Sequence, residues 1–178
     1  MQTVDERSLI AIAKRGGEEA RVAYDELVRR HQGRVIRLTT HLLGPDLAED
    51  VAQEAFVRAY LKLATCTDDV AFGAWVRVIA TRLASNQRRD VAVRRTYESR
   101  NDEPDPPVDV SDERQILELA LASLTYEHRE VIVLRHIEEM PLDEIAQLLG
   151  LGKSATKMRL SRAREELSKR YTILAGDR

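Results

Sequence analysis

The segment NDEPDPPVDVSD, residues 101–112, constrains this chain more than any other stretch. It holds three of the five prolines and no apolar residue larger than valine. Each proline removes a backbone donor and disfavours helix in the residue before it, so the stretch is expected to be extended and to stay out of any core. The chain of 178 residues is thereby split into a first domain over 5–98 and a second over 112–174, with 99–111 as a flexible acidic linker. At 43% hydrophobic residues each part can bury a modest core. Aromatics are only 4% and glycines eight, while Ala, Leu, Arg and Glu abound, so helices are favoured over a β-sandwich or barrel. The expected class is all-α, two small helical domains. No apolar run reaches the roughly 18 residues that a membrane helix needs. The start, MQTVDERSLIAIAKRGG, places Asp5 and Glu6 before a short apolar patch, unlike a signal peptide. A single cysteine, Cys66, excludes an internal disulfide framework and a multi-cysteine zinc site. A soluble, cytoplasmic protein is expected.

Charge is informative by segment. Overall, 28 Lys and Arg face 30 Asp and Glu, a net of −2. Residues 72–100 carry seven arginines against Asp90 and Glu98, and residues 150–178 carry eight cations against three acids, each a net of +5. Between them, residues 101–118 hold seven acids and only Arg114. Two basic blocks around an acidic one suit two contacts with a polyanion; two solvated helix faces would read the same way. The near-zero total disfavours strong indiscriminate DNA binding, which grows with the number of phosphates neutralised.

Four helices are expected in the first domain. Residues 6–14 stop at Gly16-Gly17. A second helix over 18–43 carries Tyr24, Leu27, Val28, Val35, Leu38 and Leu42 at helical spacing and ends at Gly44-Pro45. Asp46 is the candidate N-cap of a third over 47–64, TCTDD is a loop, and a fourth shows Phe72, Trp75, Val76, Ile79 and Leu83 on one stripe. In the second domain Ser111 and Thr125 are candidate caps of helices 112–122 and 126–137. Pro141 opens LDEIAQLLG, and after the Leu149–Gly152 turn a basic helix runs to about Tyr171. Two helices around a short glycine turn, the second basic, form a candidate helix-turn-helix.

On that last helix Thr156, Leu160, Ala163 and Leu167 mark a buried stripe. Ser154, Met158, Ser161 and Glu165 lie opposite, flanked by Lys157 and Arg162, with Arg159 and Arg164 nearer the edges. A recognition helix needs this division, outward positions reading base edges and cations at the margin holding phosphates; an ordinary amphipathic helix shows it too. In the third helix Glu49, Asp50, Gln53 and Glu54 cluster near the N-terminus, where the helix dipole favours carboxylates. Phe72 and Trp75 read as core, yet they follow a polar loop and precede an arginine-rich face, a pairing used for single-stranded nucleic acid. His31, His41, His128, His136 and Cys66 have no metal-ligand spacing, and no glycine-rich phosphate loop is present, so neither catalysis nor a cofactor is expected.

Three stretches in order carry a family resemblance: DLAEDVAQEAFVRAY, FGAWVRVIATRLASNQRRD and LASLTYEHREVIVLRHIEEMPLDEIAQLLGLGKSATKMRLSRAREEL. The chain resembles the extracytoplasmic-function (ECF, group 4) sigma factors of bacterial RNA polymerase, of the sigma-70 family, over roughly residues 5–171. The resemblance implies a region 2 helical bundle in the first domain and a region 4 helix-turn-helix in the second. It implies that Asp50, Gln53, Glu54 and Arg58 bind the clamp helices of the largest subunit of core RNA polymerase. Thr67, Asp68 and Asp69, in the loop before the fourth helix, would capture an unstacked base of the −10 element, whose extrusion cost is offset by pocket contacts. Phe72 and Trp75 would support that loop, Asn86 would lie near the captured bases, and Arg77, Arg82, Arg88 and Arg89 would hold the backbone. Ser154, Lys157, Met158, Arg159, Ser161, Arg162 and Arg164 would meet the −35 element. The remaining implied partners are the polymerase β flap, promoter DNA and an anti-sigma factor, with no membrane insertion by the chain itself. The acidic linker would run toward the RNA exit path.

The chain departs from the family pattern at Arg82, where asparagine is usual, at Asn86, where aspartate is usual, and at Met158, which replaces a small polar residue. Methionine makes no bidentate base contact, so an apolar contact with a thymine methyl is expected there. A stand-alone helix-turn-helix regulator is the alternative. It accounts for the second domain but gives the DLAEDVAQEAF and FGAWVRVIA helices nothing to do.

Overall fold

The computed structural model describes residues 4–66, 71–97 and 112–176. The linker expected over 99–111, the cap expected at Ser111 and the loop residues Thr67, Asp68 and Asp69 lie outside them. The described residues form helices and turns with no strand among them, and the chain divides into two compact units, Met1–Asn86 and Gln87–Arg178.

In the first unit, α1 (Glu6–Ala13) is capped by Asp5, whose carboxylate accepts from the Ser8 N–H at 3.1 Å and the Ser8 hydroxyl at 2.6 Å. Gly16 and Gly17, at φ +78° and +88°, turn the chain into α2 (Glu18–Leu43). Leu27, Val35, Leu38 and Leu42 of α2 are fully buried, as the periodicity predicts. Opposite them α3 (Pro45–Leu61) presents Ala48, Ala52, Ala55 and Ala59, all buried. Side chains this small let the two helices approach closely. Thr39 Oγ1 sits 2.9 Å from the Ala48 carbonyl at that contact, and the Tyr24 hydroxyl donates to the Phe56 carbonyl at 2.6 Å. The expected cap at Asp46 is not made: α3 starts two residues before the expected 47, at Pro45, and ends at Leu61. Proline's preset φ suits the first helical position and its missing N–H would have gone unpaired there anyway, so Asp46 becomes a first-turn carboxylate. The turn Leu63–Thr65 follows, and Lys14 of α1 donates to the Cys66 carbonyl at 2.6 Å.

The last helix of this unit, α4 (Phe72–Tyr97), buries Phe72, Val76, Ala80, Leu83 and Ala84 and continues past Asn86. Its start is held from α1 and α2. Glu6 Oε1 accepts from the Phe72 N–H at 2.7 Å, and Glu6 Oε2 lies 2.9 Å from His31 Nε2. The His31 ring covers Gly73 so closely that a Cβ there would fall 2.5 Å from Nδ1.

In the second unit, α5 (Glu113–Ala122) is capped by Asp112, which accepts from the Arg114 N–H at 3.0 Å. Thr125 caps α6 (Tyr126–Ile132) as expected, accepting from the His128 N–H at 3.4 Å. The helix expected to run unbroken over 126–137 instead widens over Val133–Ile137 into a π turn, closed by Glu138 N–H to the Val133 carbonyl at 2.9 Å. Glu139 follows at φ +56°, a left-handed position that favours glycine, while Met140 N–H reaches back to the Leu134 carbonyl at 2.9 Å. Then comes α7 (Leu142–Leu149), with Pro141 just before its first turn. Gly150 takes φ +66° and ends α7 in a Schellman turn: Leu151 N–H bonds the Ala146 carbonyl at 2.8 Å and Gly150 N–H the Gln147 carbonyl at 3.3 Å. The following helix, α8 (Lys153–Ala175), runs four residues beyond the expected end.

Arg129 of α6 closes the far end of α5. Its guanidinium donates to the carbonyls of Leu121 and Leu124, each at 3.1 Å, and to that of Ala122. The C-terminal carbonyls of a helix have no partner within it, so the cation serves as a remote cap. Arg129→Met is expected to destabilise the second unit by about 1–3 kcal/mol, the cost of leaving such acceptors unserved. Arg129→Lys should recover only part, because its donors all sit on one nitrogen whereas the guanidinium reaches the three carbonyls from two separate nitrogens. Urea unfolding measures both, and an unchanged midpoint for Arg129→Met would show that water serves those carbonyls equally well.

Candidate nucleic-acid interface

On α8 the predicted division holds. Thr156, Leu160 and Ala163 are buried, and Ser154, Lys157, Met158, Ser161, Arg162 and Arg164 are exposed, with Arg159 half-buried. Leu167, the fourth position of the predicted stripe, is only half-buried. Met158 keeps 54% of its surface, so its thioether is an outward group and not a core filler. The helix is tied back at three places. Lys153 Nζ donates to Asp143 of α7 at 2.8 Å across the turn, Glu166 pairs with His128 of α6, and Arg164 Nε donates to His136 Nε2 at 3.1 Å. Arg164 is therefore an exposed cation already oriented by a hydrogen bond.

On α4 the residues named from the sequence separate. Phe72 is fully buried, its ring lying between those of Tyr24, His31 and Trp75. It faces the interior, so of the −10 roles expected of it only support of neighbouring chain is open to it. Trp75 is half-exposed, and Arg82, Asn86 and Arg89 are exposed. At 100° per residue these four fall on one arc, which spans about 21 Å of helix. Arg77 and Arg88 lie toward the buried side and are half-buried. Thr67, Asp68 and Asp69 are outside the described residues.

On α3, Asp50, Gln53, Glu54 and Arg58 are exposed, with Arg58 Nε 2.7 Å from Glu54 Oε1. Beside them lies an open cleft of about 380 Å³ between α2 and α3, walled by Tyr24, Phe56, Val57, Tyr60 and Leu61. Val57, Tyr60 and Leu61 are 50%, 48% and 75% exposed, a cluster of apolar surface on the same helix as the acids. The sequence expectation for this face covers only its polar residues. The signal for the rest was the excess of apolar positions in AFVRAYL over what one buried stripe uses. A second cleft, of about 470 Å³, lies in the other unit against Leu117, Leu121, Ile132, Ile137, Leu167 and Tyr171. Among the described residues no three His, Cys, Asp or Glu groups converge as a metal site, and Cys66 is buried. No described helix is long and apolar enough to cross a membrane.

Comparison with known proteins accounts for the order of these faces. Residues 27–94 match the family model "Sigma-70 region 2" and residues 114–167 match "Sigma-70, region 4". The RNA polymerase sigma factor YlaC of Bacillus subtilis is 31% identical over 85% of this chain and 94% of its own length. The ECF RNA polymerase sigma factor SigW of the same organism is 29% identical over 90% of this chain and 94% of its own. The "Probable RNA polymerase sigma factor RfaY" of Xanthomonas campestris pv. campestris is 31% identical over 86% of this chain, which spans 42% of that longer protein. In fold the chain is similar to the sigma factor RpoE of Bartonella quintana, crystallised with the anti-sigma factor NepR. There the TM-score is 0.68 at 22% identity, over 87% of this chain and 98% of that one. Both matches are to regions of sigma-70, region 2 preceding region 4 along the chain. The chain belongs to the ECF RNA polymerase sigma factors, alternative sigma factors that direct transcription with RNA polymerase.

The His136–Arg164 contact has a pH consequence. Partial desolvation, then Arg164 and Arg135, hold the His136 pKa below its ordinary value of 6.5. The unfolded chain therefore takes up this proton at higher pH than the folded one, and stability falls as pH drops below about 6.5 toward the folded value. Comparing urea midpoints at pH 7.5 and 5.5, the wild type should lose more stability than His136→Gln; equal losses would remove His136 from the account.

Proposed function

We propose that this sigma factor docks on core RNA polymerase through α3, reads the −35 element with α8, and captures and opens the −10 element with α4 and the loop before it. In this reading region 2 occupies 5–98, an acidic linker 99–111, and region 4 occupies 112–174. Asp50, Gln53, Glu54 and Arg58 meet the clamp helices, and the apolar surface of Val57, Tyr60 and Leu61 extends that contact. Lys157, Met158, Ser161 and Arg162 face base edges, while Ser154, Arg159 and Arg164 hold the flanking phosphates. Region 4 also rests on the β flap.

The observation that carries the reading is the exposed arc of Trp75, Arg82, Asn86 and Arg89 on α4. An aromatic edge, an amide and two cations on one helix suit a single strand better than a duplex, because a base can stack while its phosphates are held. A stand-alone duplex binder needs no such helix. The chain works in the cytoplasm without inserting into a membrane, as an initiation factor and not a catalyst. RpoE bound to the anti-sigma factor NepR supports a further expectation, an anti-sigma factor as inhibitory partner.

Transcription by purified core polymerase on a genomic promoter library, with and without the protein, tests this. Discrete starts should appear only with it. Trp75→Ala and Lys157→Ala should each weaken them about tenfold, and Arg164→Ala, which removes a phosphate contact, should reduce the salt dependence of promoter binding by about one ion. Tyr60→Ala should weaken core binding by a similar factor while sparing DNA contacts. If no starts appear and core polymerase is not bound, the stand-alone regulator becomes the account.

A further inference from the structure

Helix α1 has no assigned role: the region 2 match begins at residue 27, beyond it. Yet α1 supplies the carboxylate that caps α4. The position before α4 is Ala71, which has no side-chain acceptor for the unpaired N–H groups of the first turn. Instead Glu6, 66 residues away, accepts from the Phe72 N–H at 2.7 Å, and its negative charge complements the helix terminus. Its second oxygen lies 2.9 Å from His31 Nε2, so the same carboxylate orients the imidazole that lies on Gly73. Phe72, fully buried between Tyr24 and His31, locks the third side. The first turn of α4 is thus held by a polar and an apolar contact at Phe72 and a van der Waals contact at Gly73.

We propose that Glu6 is a positioning residue for promoter opening: by fixing the first turn of α4 it sets the placement of Trp75 and the arc of Arg82 and Asn86 against the melted strand. The inference rests on the reading of α4 as the −10 helix. Opening DNA requires a protein surface that stays in place while bases leave the stack, because the unstacking cost is recovered only by contacts already in position. An α4 whose first turn frays forfeits those contacts, though the clamp-binding face of α3 and the −35 face of α8 are untouched.

The test uses full-length protein with core polymerase at a promoter recovered by the transcription assay. Three quantities are read: core affinity, binding to duplex DNA carrying the −35 element, and permanganate reactivity of −10 thymines. Glu6→Ala is expected to lower opening about tenfold while leaving the other two near wild type. Glu6→Gln should stay close to wild type, since its carbonyl still accepts from Phe72 and its amide can donate to His31. Should Glu6→Ala fail to fold, Glu6→Asp, which keeps the charge but falls one methylene short, is expected to show the same selective loss. Undiminished opening in these variants, or a loss of core affinity in step with opening, overturns the proposal. If wild-type protein itself opens nothing, the reading of α4 falls and this inference with it, a failure visible before any variant is made.

Discussion

A protein built from short helices has many helix ends, and every end exposes backbone donors or acceptors that the helix cannot satisfy for itself. Much of the chemistry holding this chain together answers that constraint at long range. Glu6 serves the start of α4 and Arg129 the finish of α5, while Lys14 holds the Cys66 carbonyl just after the Leu63–Thr65 turn. Local caps suffice at Asp5, Asp112 and Thr125. The remote ones do more, because a side chain that caps a distant helix also fixes where that helix begins or stops relative to the element supplying it. In an all-α unit with few aromatics and a core rich in alanine, such polar ties supply much of the specificity that large side chains would otherwise provide.

The distribution of charge sorts the surfaces by partner. Acids lie exposed on α3 beside apolar Val57 and Tyr60, a combination suited to a protein partner, where buried apolar anchors give affinity and rim charges give orientation. Cations lie on α4 and α8, each interrupted by groups that can meet a base, Trp75 and Asn86 on one and Met158 and Ser161 on the other. With a net charge of −2 for the whole chain, the proposed function requires that neither basic face hold DNA strongly alone and that both faces and the polymerase act together.

Features set by local pattern were legible in the sequence. The buried positions of α8 follow from the spacing of Thr156, Leu160 and Ala163, the end of α2 from Gly44, and the cap of α6 from Thr125. What escaped depends on more than local pattern. The π turn after Ile132 is invisible to periodicity, because Val131, Ile132, Val133 and Leu134 are consecutive apolar residues, all buried, and carry no readable period. Pro45 displaced Asp46 as the start of α3 because the two signals compete at adjacent positions and proline's backbone constraint prevailed. The exposure of Val57, Tyr60 and Leu61 depends on how α2 meets the alanine face of α3; the excess of apolar positions in AFVRAYL signals that some must stay outside, but which ones is a packing outcome. The separation of Trp75, Arg82, Asn86 and Arg89 from Arg77 and Arg88 follows from angular spacing alone and is therefore present in the sequence.

The imidazole of His31 on Gly73 links two positions 42 residues apart in one steric condition. With the ring where it is, a methyl at 73 would lie 2.5 Å from Nδ1, well short of van der Waals contact distance; with a smaller residue at 31, a glycine at 73 would leave a void beside Phe72. Neither residue is free to drift alone. Across divergent members of this family the two sites should therefore change as a pair, glycine accompanying a large ring and alanine or serine accompanying something shorter, so that a record of the crossing between α2 and α4 is written in sequence variation as well as in coordinates.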